Sequence, residues 1–75
     1  MRKLPRPTGR QMIRFLEQQG FVVLRISGSH HFMESGARRT TVPVHGNQSL
    51  KIGTLRSILR DIDISPADFI QRWSE

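Results

Sequence analysis

The chain has no cysteine. That removes disulfides, thiolate nucleophiles and cysteine-based zinc sites, and it fits a reducing compartment. No apolar run approaches the roughly 18–20 residues that a membrane span needs. Arg2 and Lys3 look like the start of a signal peptide, but no apolar stretch follows them, so the expected location is the cytoplasm, with no membrane contact. There is no glycine fingerprint for phosphate, no internal repeat and no low-complexity tract. The three histidines, His30, His31 and His45, and the carboxylates Glu34, Asp61 and Asp63 show no HExxH-like helical spacing. No metal and no small-molecule cofactor are therefore expected. No Ser/His/Asp set is legible either, since Ser29 next to His30 on a strand would point away from it.

Acidic residues are scarce: six, against 12 lysines and arginines, for a net charge of +6. The imbalance is local. Residues 1–60 carry +9, whereas residues 61–75 set Arg72 against Asp61, Asp63, Asp68 and Glu75, giving −3. A basic body with an acidic end points to a polyanionic partner. At 75 residues the chain reads as one domain, too small to enclose a large pocket beside a core, so a site lies on an open surface.

Residues 1–7, with two prolines and three cations, read as an irregular basic lead-in. Thr8 is an N-cap and Gly20 a C-cap. Between them Met12, Ile13, Phe15 and Leu16 make a helical stripe. The β-branched run FVVLRIS is a strand, Ser27-Gly28 a turn, residues 29–34 a second strand, and Ser35-Gly36 the next turn. RRTTVPV is a third strand, on which Pro43 marks an edge or a bulge. Leu55, Ile58, Leu59 and Ile62 fall at helical spacing behind Thr54 as cap. Ser65-Pro66 opens a short extra helix over 65–75, with Phe69, Ile70 and Trp73. The class is α+β: three antiparallel strands with helices on one face, in the order α-β-β-β-α-α.

A turn centred on Ser27-Gly28 places Arg25 opposite His30 and Leu24 opposite His31. The adjacent histidines then point to opposite faces and do not share a metal. Phe21, Val23, Phe32, Arg25 and His30 would form the core side. Val22, Leu24, Ile26 and Met33 would form an apolar patch on the other, a possible partner interface unless the last helix covers it. An arginine beside His30 disfavours imidazolium, leaving a neutral ring able to accept a proton. The arginine can hold a phosphate. Those are the parts for phosphodiester chemistry on RNA; the plainer reading is an idle histidine at a hairpin rim.

From helix one to about Ile64 the sequence resembles the HicA toxins, small mRNA interferases of type II toxin–antitoxin pairs. The resemblance is carried by GF at 20–21, GSHH at 28–31, TVPVH at 41–45 and GTLRSILRD at 53–61, in order. It implies a double-stranded-RNA-binding-domain-like fold. It also implies an endoribonuclease that depends on His30, the histidine of Gly28-Ser29-His30, with His45 at a position where the family often has histidine. No catalytic role carries over to His31. Residues 46–49 are neutral and Ile52 stands where lysine is common, a departure from the family's more basic loop. The expected RNA-binding cations are Arg38, Arg39, Lys51, Arg56 and Arg60. The implied partners are mRNA and a HicB-like antitoxin that covers His30. Two rival readings remain: a non-catalytic RNA-binding module, and a protein-interaction domain using Val22, Leu24, Ile26 and Met33.

Overall fold

A computed structural model describes residues 3–73. Met1, Arg2, Ser74 and Glu75, the outermost residues of the expected lead-in and terminal helix, lie outside the described residues. The elements are α1 (Gly9–Gln18), β1 (Val22–Ser27), β2 (His30–Ser35), β3 (Arg38–Pro43), α2 (Ile52–Asp61) and α3 (Pro66–Arg72). The strands form one antiparallel sheet in the order β1-β2-β3. The order α-β-β-β-α-α is the expected one and is consistent with a double-stranded-RNA-binding-domain-like fold.

Helix α1 is fixed at both ends by its sequence. The Thr8 hydroxyl accepts from the Gln11 N–H at 3.2 Å, and the Thr8 N–H donates to Gln11 Oε1 at 2.9 Å. This reciprocal cap satisfies two donors that the first turn leaves free, and is worth about 1 kcal/mol. At the other end Gly20 takes φ 95°. Its N–H donates to the Glu17 carbonyl, and the Phe21 N–H to the Leu16 carbonyl at 2.9 Å. That geometry delivers Phe21 into the core beside Leu16, just before β1 begins. Helix α2 ends in the same way with Asp63, a non-glycine residue at φ 59°.

Both hairpin turns sit one residue later than the sequence suggested. Gly28-Ser29 and Gly36-Ala37 are the turn residues, with glycine first at φ 59° and 60°. Glycine at the first central position is the type II′ preference. The register follows: Ser27 pairs with His30, Ile26 with His31 and Arg25 with Phe32. A bulge between Val23 and Arg25 then absorbs Leu24. Arg25 is therefore not opposite His30, nor Leu24 opposite His31. A one-residue slip exchanges strand faces, so Arg25, His30 and Phe32 of the expected core side lie on the open side, whereas Phe21 stays in the core and Val23 pairs with the buried Met33. His31, Met33, Thr40 and Val42 alternate onto the buried face. His30, Phe32, Thr41 and Pro43 alternate onto the open one.

The core is one cluster built from α1 (Met12, Phe15, Leu16), the sheet (Met33, Val42), Leu50, α2 (Leu55, Ile58, Leu59) and Phe69 of α3. Met33 is 1% exposed and belongs to this core, so it leaves the expected apolar patch. Helix α3 does not cover β1. Phe69 and Trp73 instead pack against Phe15 of α1, edge-on and tilted, with ring centroids 4.9 and 5.8 Å from it. Ser65 caps α3 as expected, accepting from the Asp68 N–H at 3.1 Å. Helix α2 starts earlier than Thr54; its N-cap is Lys51, without a side-chain cap. The lead-in has no regular element but is docked. Pro7 is buried, its carbonyl accepts from the Leu50 N–H at 2.8 Å, and Thr8 bridges Ser49.

Candidate functional site

His30 begins β2 directly after the Gly28-Ser29 turn. Glycine at the first turn position lets the chain reverse, and the strand period then sends successive side chains to opposite faces. His30 is exposed between Ser27 on β1 and Pro43 on β3. The Val44 N–H donates to the Ser29 carbonyl at 2.8 Å and so extends the β2–β3 ladder beyond His30. The ring therefore stands on backbone held from both sides. Among the described residues, no side chain hydrogen-bonds the ring.

Arg25 shares the open face with His30, but diagonally. Its guanidinium lies over the Phe32 ring, 4.3 Å from the centroid, a cation–π contact. Phe32 in turn pairs with Thr41 on β3. Farther along this face Arg39 donates to Glu34 at 2.8 Å. His31 occupies the opposite face between Ile26 and Val42, with its Nδ1 buried and without a partner. The two histidines are thus separated, as strand alternation requires. Among the described residues no group of three or more His, Cys, Asp or Glu could hold a metal ion.

The other expected residues divide into three groups. His45 and Lys51 line one recess with Pro43, the cross-strand neighbour of His30, so they lie at the His30 end of the sheet. Arg38 and Arg39 sit nearer the far end of β3, and both are engaged: Arg38 with Asp63 at 3.2 Å and Arg39 with Glu34. Arg60 lines a recess with Leu59, Asp63 and Ile64, and Arg56, four residues earlier, shares its flank of α2. The opposite flank, with Thr54, Ser57 and Asp61, lines a groove of about 620 Å³ with all three strands, at Leu24 and Arg25 of β1, Phe32 and Met33 of β2, and Arg39, Thr40 and Thr41 of β3. Arg56 and Arg60 therefore belong to the helix layer, not to the face that carries His30. Lys51, Arg56 and Arg60 make no ion pair with the described residues.

Val22, Leu24 and Ile26 remain exposed, at 58%, 50% and 59%, on an edge strand that carries no helix of its own. Val23, at 37%, joins them. Two features escaped the sequence reading. The Arg25–Phe32 stack required the correct register. Arg10 and Arg14, at i and i+4 on the exposed side of α1, were legible from helical spacing as a further cation pair.

No curated protein matches the chain. Residues 9–64 match the family described as the HicA toxin of bacterial toxin–antitoxin systems, a span from the start of α1 to the end of the α2 cap that includes Gly28-Ser29-His30 and leaves α3 outside. The family is one of toxin ribonucleases, which implies RNA as substrate and an antitoxin as partner. With more than half its length matched, this chain belongs to the HicA toxin family.

Proposed function

We propose that the protein is a metal-independent endoribonuclease that cuts mRNA, with His30 as its general base and acid. The observation that carries this reading is an exposed imidazole at the head of β2, with Arg25 diagonal to it on the same face. A ring nitrogen of His30 takes the proton of a ribose 2′-hydroxyl. The 2′-oxygen attacks the adjacent phosphorus and the P–O5′ bond breaks. The leaving 5′-oxygen takes a proton from the imidazolium, which returns the ring to its starting state. The products are a 2′,3′-cyclic phosphate and a 5′-hydroxyl. Arg25 and Lys51 are the cations best placed at that end of the sheet to offset charge gathering on the phosphoryl oxygens. His45 lines the same recess as Lys51.

Lys51 holds the RNA backbone at the His30 end, and Arg56 and Arg60, outside the face that carries His30, hold only strand that runs on past it; such contacts position the strand without reading its sequence. Arg38 and Arg39 contribute less, because each already has a carboxylate. The antitoxin partner is HicB-like; its acidic side chains cover His30, and Val22, Leu24 and Ile26 offer it an apolar contact.

One observation favours a non-catalytic RNA-binding module instead: no side chain among the described residues orients the His30 ring, whereas activated catalytic groups are commonly held by a third residue. Expression in bacteria separates the two. Wild type should arrest growth and deplete mRNA, and His30→Ala should not, while both purified proteins bind RNA in a salt-sensitive manner. Equal toxicity of the two proteins would remove His30 from the mechanism.

A further inference from the structure

The open face of the sheet carries more than a histidine. In a row beside His30 lie Phe32, half-buried in the sheet, and the Arg25 guanidinium stacked 4.3 Å above its ring. Pro43 and Thr41, the β3 partners of His30 and Phe32, flank them on the same face. The helices bury the reverse side at Met33, Thr40 and Val42, whereas on this side Arg25 and His30 are exposed and Phe32, Thr41 and Pro43 are half-buried. An arginine over an aromatic ring is held near it, and the exposed Arg25 guanidinium, being planar, can take a nucleobase against it. Bases splayed from a single strand stack on such planes, whereas bases within a duplex are stacked on each other.

We propose that Arg25 and Phe32 form a stacking platform for one base of single-stranded RNA. This platform sets the sugar next to that base against His30. It rests on the ribonuclease reading only for the role of His30; the binding site stands without it. The chain then selects its substrate by strandedness. A duplex cannot offer an unstacked base to a flat sheet face.

The test uses the full chain and a short 2′-O-methyl oligonucleotide, which cannot be cut through its 2′-oxygen. Binding is measured for wild type, Arg25→Lys and Phe32→Leu. Arg25→Lys keeps the charge and removes the plane; Phe32→Leu keeps apolar bulk and removes the ring. Each should weaken single-strand binding about 10-fold. For Arg25→Lys the slope of log K against log salt should be unchanged, because no charge is lost. An abasic strand should bind wild type and variants alike, and the duplex should bind more weakly than the single strand. Variants within about twofold of wild type on the normal strand would overturn the platform, as would an equal loss on abasic and normal strands.

The two claims fail separately. Wild-type binding by Arg25→Lys, with cleavage still lost in His30→Ala, sinks the platform and leaves the nuclease. A 10-fold loss on the normal strand only, with His30→Ala cutting like wild type, sinks the nuclease and leaves the platform.

Discussion

Replacing Gly9 by alanine sets two effects against each other, and the structure decides the sign. Gly9 is the first residue of α1 and is buried. Alanine is the better helix former, by up to about 1 kcal/mol. A Cβ at Gly9, however, would overlap the Pro43 carbonyl oxygen and stand 3.0 Å from Val44 Cα. Both obstacles are backbone or close to it, and neither can rotate away. Forcing an extra carbon into packed structure costs about 1–3 kcal/mol; the overlap with a fixed carbonyl puts Gly9→Ala at the upper end, so after the helix gain the net loss is about 2 kcal/mol. Native domains keep only roughly 0.05–0.15 kcal/mol per residue in reserve, so the loss is a large share for a chain this short. With a urea slope of about 1 kcal/mol/M for a small domain, the midpoint should fall by about 2 M. Gly53, near the start of α2, is the control, because a Cβ there meets nothing within 4 Å. Gly53→Ala should raise the midpoint, by up to about 1 kcal/mol of stability. A Gly9→Ala midpoint at or above wild type would refute the packing argument. The clash also bears on the site, since Pro43 pairs with His30 and the Val44 N–H bonds Ser29. Whatever Gly9→Ala protein remains folded should cut RNA less well than wild type.

Two further outcomes follow from packing and charge. Phe69 is fully buried against Phe15, although α3 lies beyond the span shared with the family. Phe69→Ala should cost about 3–5 kcal/mol in urea unfolding, and a change under about 1 kcal/mol would show α3 to be an ornament. Lys51→Gln and Arg60→Gln should each reduce the salt slope of single-strand binding by about 0.7. Arg39→Gln should reduce it less, because Glu34 already lies 2.8 Å away; an equal reduction would contradict the assignment of Lys51 and Arg60 to the RNA backbone.

The elements were legible wherever a local signal fixes them. Thr8 and Ser65 have short side chains that can cap a helix, and Gly20 supplies the positive φ that closes α1. The register was not legible, because Ser27-Gly28 and Gly28-Ser29 are both credible turns by composition. Glycine serves either central position, and only the completed ladder chooses between them. That single residue decided which face was core, and so exchanged Met33 with Phe32. The bulge at Leu24 left no trace in the alternation of an all-apolar run. The opposition of His30 and His31 survived the slip, because it depends on the strand period alone. Thr54 was mistaken for a cap because it precedes the apolar stripe; the helix begins at Ile52, where no side chain caps it.

Proton transfer by the His30 ring is tested most directly by one rate. Single-turnover cleavage of an RNA strand, at saturating protein and with a chelator present, should slow about 10²–10⁴-fold in His30→Ala, with affinity for the strand retained. Equal rates for wild type and His30→Ala under those conditions would contradict it.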